Sequence, residues 1–210
     1  MSVEKSEAIV LRAIPWSETS LVVTLWTRNF GKISAIAKGA RRLRSPFESA
    51  LDLLAHSSVV FLAKSGDSLD LLTEAKLIRR FRSAGQSLVH LYCGYYVAEV
   101  LLHATEEGQP IPELFDLSLN TLMNLDASQD PFDVVLRFEL QTLHWLGLAP
   151  SLDECVSCNQ PVAMEERVAV GIDAGGVLCT ACLPGQRNVM RLLRSTVFRL
   201  RQFSNDNALS

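Results

Sequence analysis

The sequence predicts an α+β multidomain protein, with a small closed β-barrel first, an α-helical part after it, and a cysteine module embedded in the helical part. Three observations carry that expectation. Residues 6–77 hold short apolar stretches rich in β-branched residues and without a helical period. From Ser83 onward, apolar residues recur at steps of three and four. Two Cys-x-x-Cys pairs, Cys155/Cys158 and Cys179/Cys182, then interrupt the helical pattern. The expected segments are 1–80 for the barrel, 81–150 for the helical domain, 151–186 for the cysteine module, and 187–210 for a C-terminal amphipathic helix completing the helical domain.

Composition sets the class. The chain has 210 residues, 48% hydrophobic and 20% charged, the balance of an ordinary globular protein. Met1–Glu7 carries acidic residues and no apolar core, so a signal peptide is not expected. No apolar run reaches about 18 residues, so no membrane span is expected either. Five cysteines, an odd number, argue against a disulfide framework and fit a reducing cytoplasm. The net charge of −3 conceals a division. Residues 1–80 carry 12 Lys+Arg against 8 Asp+Glu, and residues 81–210 carry 8 against 15. Five of those eight, Arg187, Arg191, Arg194, Arg199 and Arg201, fall in the last helix-like stretch. A polyanion is therefore attracted to the two ends and repelled by the middle.

The strands follow from local pattern. Ser6–Ile14 is apolar and mildly alternating, and Pro15 ends it because proline has no N–H for a ladder. Ser20–Thr27 reads as the second strand, and Lys32–Lys38 as the third after a turn at Asn29-Phe30-Gly31. Ser57–Ala63 and Leu69–Leu77 read as the fourth and fifth, with Ser65-Gly66-Asp67 as their hairpin turn. Five such strands fit the OB-fold, a barrel that commonly binds nucleic acid, and an SH3-like barrel matches the same pattern.

Between the third and fourth strands, Lys38, Arg41, Arg42 and Arg44 place four cations in seven residues without an acid. A solvated charged loop is the plain reading of such a cluster. Its position behind a barrel strand favours contact with a phosphate backbone instead. Trp16, Trp26, Phe30 and Phe47 are near in sequence and could stack bases; strand aromatics are mostly core, so one or two at most should be exposed.

Gln86–Ala104 and Pro112–Leu125 read as the first two helices, the latter opened by Pro110 and Pro112. Cys93 and His90 read as core residues, and Glu99 with His103 as a helix-surface pair rather than a metal site. The third helix has the clearest punctuation: Asp130 at the N-cap, Pro131 next, Gly147 just past the end and Pro150 beyond. Asn188–Phe203 reads as an amphipathic helix, with Arg187, Arg191, Arg194 and Arg201 on one face.

The cysteines carry the strongest chemical signal. Twenty residues separate the two pairs, at the upper edge of the four-thiolate zinc pattern. Each pair forms a turn that aims both sulfurs at one centre; Asn159 suits a left-handed position, and Gly175-Gly176 suits a hairpin tip. Cys155, Cys158, Cys179 and Cys182 are thus expected to hold one structural Zn²⁺ per chain, with no open position for substrate.

Together these blocks resemble the RecO family of bacterial recombination mediators over nearly the whole chain. The resemblance rests on Pro15-Trp-Ser-Glu-Thr-Ser20, Lys38-Gly-Ala-Arg-Arg42, Arg137-Phe-Glu-Leu140, Leu146-Gly-Leu-Ala-Pro150 and the cysteine pairs that follow. It implies an N-terminal OB-fold, a helical domain and an embedded zinc module. It also implies binding of single- and double-stranded DNA, annealing of complementary strands, and help in loading the RecA recombinase with RecR and the single-strand-binding protein. Lys38, Arg41, Arg42 and Arg44 match the family's basic loop and become the DNA candidates. Arg137 becomes the candidate contact for the C-terminal tail of the single-strand-binding protein, while Trp16, Ser17 and Glu18 read as structural. A cytoplasmic, nucleoid-associated location is implied as well. The segment after the cysteines is shorter here than is common in the family.

No Gly-Lys-Ser/Thr phosphate loop or nucleophile–base pair is legible, so an enzyme is not expected. Two other readings share the pattern. One is a generic barrel and zinc-ribbon module for RNA or DNA; the other is a zinc-stapled adaptor that binds only protein.

Overall fold

A computed structural model describes residues 2–64, 68–82 and 87–205. The expected turn at Ser65-Gly66-Asp67 and the expected helical start at Ser83–Gln86 lie outside the described residues. Two compact units are present, Met1–Val135 and Leu136–Ser210.

In the first unit, β1 (Ser2–Pro15), β2 (Leu21–Thr27), β3 (Gly31–Ala37), β4 (His56–Ala63) and β5 (Asp70–Arg79) close into a barrel of order β1-β2-β3-β5-β4. The long β1 makes closure possible. Ala8–Pro15 pairs with β2 while Ser2–Ile9 pairs with β4, so one strand serves both neighbours. The register shift between Val10 and Arg12 supplies the bend. Alternation then sends Ala8, Val10, Val23, Leu25, Ile33, Ala35, Val59, Phe61 and Leu72 inward. The remaining seam, β3 against β5, is parallel and only three pairs long, Ala35–Asp70 to Ala37–Leu72.

Helices α1 (Leu88–Ala104) and α2 (Pro112–Ala127) lie in the same compact unit as the barrel. Long-range polar ties explain this. Lys32 Nζ donates to the carbonyls of Leu102 and Thr105 at the end of α1, each at 2.5 Å. Arg28 makes a two-pronged pair with Asp116, at 3.0 and 2.6 Å. Asp126 accepts from Arg79 at 2.9 Å and from the Arg82 amide at 2.9 Å. Phe115, fully buried, meets the His56 ring edge-on. Cys93 is buried, as the sequence suggested, and burial pushes its thiol pKa up. Glu99 and His103 pair with each other at 2.9 Å.

Helix α3 (Pro131–Trp145) is punctuated as its sequence predicts. Asp130 Oδ1 accepts from the amides of Phe132 and Asp133. Gly147, at φ 72°, donates to His144 O at 3.0 Å, and Leu148 donates to Leu143 O at 2.7 Å. That paired arrangement is the Schellman stop, which needs a left-handed residue where Gly147 stands.

In the second unit, β6 (Arg167–Gly171) is the middle strand between β7 (Gly176–Leu178) and β8 (Val189–Leu193), and α4 (Arg194–Asn205) follows. The single helix expected over 188–203 is therefore corrected: its first part is a strand. Val189–Leu193 pairs with Gly171–Arg167 along its whole length, and Asn188 at φ 51° turns the chain into that register. Edge pairing with β6 overrides the local helical period. Val197 of α4 packs with Leu152, Val168 and Val177, against the cysteine module. No helix among the described residues is long and apolar enough to cross a membrane.

Candidate metal centre and nucleic-acid interface

The first cysteine knuckle is laid along β7 by backbone hydrogen bonds. Val177 N donates to Ser151 O at 2.8 Å, and Val156 N donates to Val177 O at 3.1 Å. At Gly176 a Cβ would collide with the Ser151 carbonyl, so a side chain there would push the knuckle away. Asn159, at φ 56°, donates its amide to Cys155 O at 2.8 Å, closing the knuckle as its sequence predicts. The second knuckle follows β7 directly, with the amides of Cys182 and Leu183 donating to Cys179 O at 3.2 and 3.1 Å.

These turns bring the Sγ atoms of Cys155, Cys158, Cys179 and Cys182 within 4.8 Å of one another, with Cys158 and Cys179 3.8 Å apart. A tetrahedral four-thiolate ion with bonds near 2.3 Å has sulfur–sulfur edges of about 3.8 Å, so the cluster fits a metal ion. The electrostatics are those of thiols crowded around one point. The Cys155 thiol is drawn down to about 6, chiefly by the backbone N–H of Cys179. Cys182 is pushed up to about 12, first by its hydrogen bond with the Cys179 sulfur and then by that with Cys158. A cation at the centre would relieve that conflict by ionising all four.

The cationic loop leaves the barrel at the end of β3. Lys38, Arg41, Arg42 and Arg44 are all exposed, and Leu43 is fully so. Among the described residues, Lys38, Arg42 and Arg44 have no acidic partner. Arg41 differs: its Nη1 donates to Ser17 O at 2.7 Å and its amide to Thr19 O at 3.1 Å. The loop is thereby tied to the β1–β2 turn, itself closed by Trp16 N to Ser20 O and by Ser20 N to Ser17 Oγ. Of the four aromatics singled out in the sequence, Trp26 and Phe47 are core and Phe30 packs edge-on to Phe61 at 5.4 Å. Trp16 alone stands out, 64% exposed. Sequence reasoning had taken the Trp16 block as structural. The available signal was Pro15, which ends β1 and leaves the next residue at a turn tip.

Arg137 lies in the second unit, half-buried, with its guanidinium 4.2 Å above the Phe203 ring. Arg199 approaches the same ring at 5.4 Å. Phe138, next to Arg137 on the helix, is fully buried. The C-terminal arginines do not form one face. Arg191 is on β8, Arg194 opens α4, and Arg201 binds Leu152 O and Asp153.

A closed barrel of this strand order is the OB-fold, and the class is an OB-fold protein carrying a four-cysteine metal-ligating module. Comparison with known proteins narrows it. Residues 1–81 match the family model described as Recombination protein O N terminal, and residues 85–209 match Recombination protein O C terminal. The DNA repair protein RecO of Rhodopirellula baltica is 42% identical over 203 residues, covering 96% of this chain and 75% of the relative. That of Syntrophus aciditrophicus is 34% identical, covering 85% and 69%, and that of Listeria monocytogenes is 32% identical, covering 95% and 76%. The chain belongs to the RecO family of DNA repair proteins.

Proposed function

We propose that the chain is a non-enzymatic recombination mediator that binds single- and double-stranded DNA and anneals complementary strands. With RecR and the single-strand-binding protein, it helps load RecA. The observation that carries the DNA reading is the cationic loop. Three exposed cations, with no acidic partner among the described residues, leave an OB-fold strand beside the tethered Arg41, in a chain of a DNA repair family. Their charge is directed to solvent, where phosphates can displace bound counterions.

The cysteine cluster is proposed to hold one Zn²⁺. Four sulfur ligands fill a tetrahedron, so the ion supplies folding free energy and leaves no site for a reacting water. Arg137 is the proposed cation for the acidic tail of the single-strand-binding protein. The Phe203 ring beneath it pre-orients the guanidinium, and the same stack is the competing, purely internal role.

The deciding experiment is annealing of two complementary labelled oligonucleotides, with and without single-strand-binding protein. Accelerated annealing that Arg42→Ala with Arg44→Ala removes supports the proposal. A protein that binds oligonucleotides without annealing them would instead be a generic nucleic-acid module. A nuclease or ATPase activity copurifying through the same double substitution would overturn the non-enzymatic reading.

A further inference from the structure

We propose that Trp16 is the base-stacking platform of a composite single-strand site, held beside the cationic loop by Arg41, which acts as a positioning residue. The inference deepens the DNA reading above and rests on it.

The chain has three tryptophans. Trp26 is sealed inside the barrel, and Trp145 ends α3 with its ring against His144. Trp16 has no such use. It sits at the β1–β2 turn, 64% exposed, so most of its indole face is open to a stacking partner. What lies next to it is decided by Arg41. Two hydrogen bonds from that residue, one from the side chain and one from the backbone, fasten the tip of the cationic loop to Ser17 and Thr19. The turn bearing Trp16 and the loop bearing Lys38, Arg42 and Arg44 therefore share one end of the barrel. Leu43, wholly exposed between two arginines, adds a second apolar surface there. Glu18 is the one acid in the turn, exposed and outnumbered.

The chemistry selects the occupant. An aromatic face beside exposed guanidinium groups offers stacking for a base and charge for its phosphate at the same place, which is how sequence-tolerant single-strand sites are built. A duplex presents its phosphates but keeps its bases stacked, so Trp16 should matter for single strands only. Arg41 spends its guanidinium on Ser17, so its substitution should act mainly through the position of Trp16 and less through its own charge.

The test uses the full chain and an oligothymidylate strand. Expected are quenching of tryptophan fluorescence on binding, a loss of roughly 5- to 100-fold in affinity for Trp16→Ala, and near-normal affinity for Trp16→Phe. The slope of log K against log salt should be unchanged by either, whereas Arg42→Ala should flatten it by about 0.7. An abasic strand should bind wild type and Trp16→Ala equally. Arg41→Ala, which keeps the amide bond to Thr19, should weaken the quench even at saturating strand. Because Trp16 is exposed, a circular dichroism spectrum matching wild type is expected for its variants. Wild-type affinity of Trp16→Ala, with Arg42→Ala still weakened, would overturn the stacking role and leave the DNA reading standing. Failure of the unmodified protein to bind any strand at moderate salt would overturn both.

Discussion

Cys158 is the exposed ligand of the cluster and Cys155 the buried one, so the two need not respond alike to substitution. Cys158→Ser should lower bound zinc well below one per chain and destabilise Leu136–Ser210, while the barrel stays folded; elemental analysis and a two-step thermal melt check this. Metal affinity should also depend on pH in a fixed direction. Every ligand binds as a thiolate, and crowding by neighbouring sulfurs and burial hold Cys158 and Cys182 above the ordinary thiol range, so binding near neutral pH must expel their protons. Affinity should therefore rise steeply from pH 6 to pH 8, read by competition with a chelator. For Arg137, calorimetry with the acidic tail peptide distinguishes its two roles. Weakened binding by a folded Arg137→Ala protein supports partner recognition. Unchanged binding with a lower melting temperature assigns the residue to its stack on Phe203. These residue types were legible because their chemistry is local: cysteine spacing and Asn159 state the knuckle outright. The tie that sets the Trp16 turn beside the cationic loop was not, since it depends on Arg41 reaching back to Ser17.

At the scale of elements, helix α3 was readable because its stop and start signals lie within it. Asp130→Ala should cost about 1 kcal/mol through loss of two amide contacts, measurable by denaturant unfolding. Strand β8 was unreadable for the opposite reason. Met190 and Leu193 are exposed, and the segment is a strand only because β6, some twenty residues earlier, offers it an edge. The ties between barrel and helices are hidden from local pattern in the same way. Asp126, with a 7% exposed side chain, binds Arg79 and the Arg82 amide, joining β5 to α2 across a separation that no local pattern records. Removing one partner of a largely buried charge pair typically costs about 3–5 kcal/mol, and Arg79 here is partly solvated. Asp126→Ala should thus destabilise the first unit by roughly 3 kcal/mol, with barrel and helices unfolding in one transition.

Over the whole molecule, the charge asymmetry seen in the sequence survives in the fold, but its two basic ends are unequal. The barrel loop keeps three cations with no acidic partner among the described residues, whereas the C-terminal arginines are dispersed over a strand and a helix, and Arg201 is engaged by Asp153. Arg42→Ala with Arg44→Ala should flatten the salt dependence of single-strand binding by about 1.4, and Arg191→Ala with Arg194→Ala should leave it nearly unchanged. Anisotropy across a salt series separates them; the reverse result would move the DNA footprint to the second unit.

The three-pair seam between β3 and β5 gives the barrel a place to breathe. Parallel pairing is the less stable kind, and here it joins Ala35–Ala37 to Asp70–Leu72 immediately before the chain enters the cationic loop at Lys38. The amide protons that bridge this seam should therefore trade with solvent deuterium sooner than those along the long β1–β4 ladder. A strand of DNA gripping the loop would brace its root, so deuterium uptake at the seam should slow when oligonucleotide is added, making the barrel's weakest joint its own reporter of occupancy.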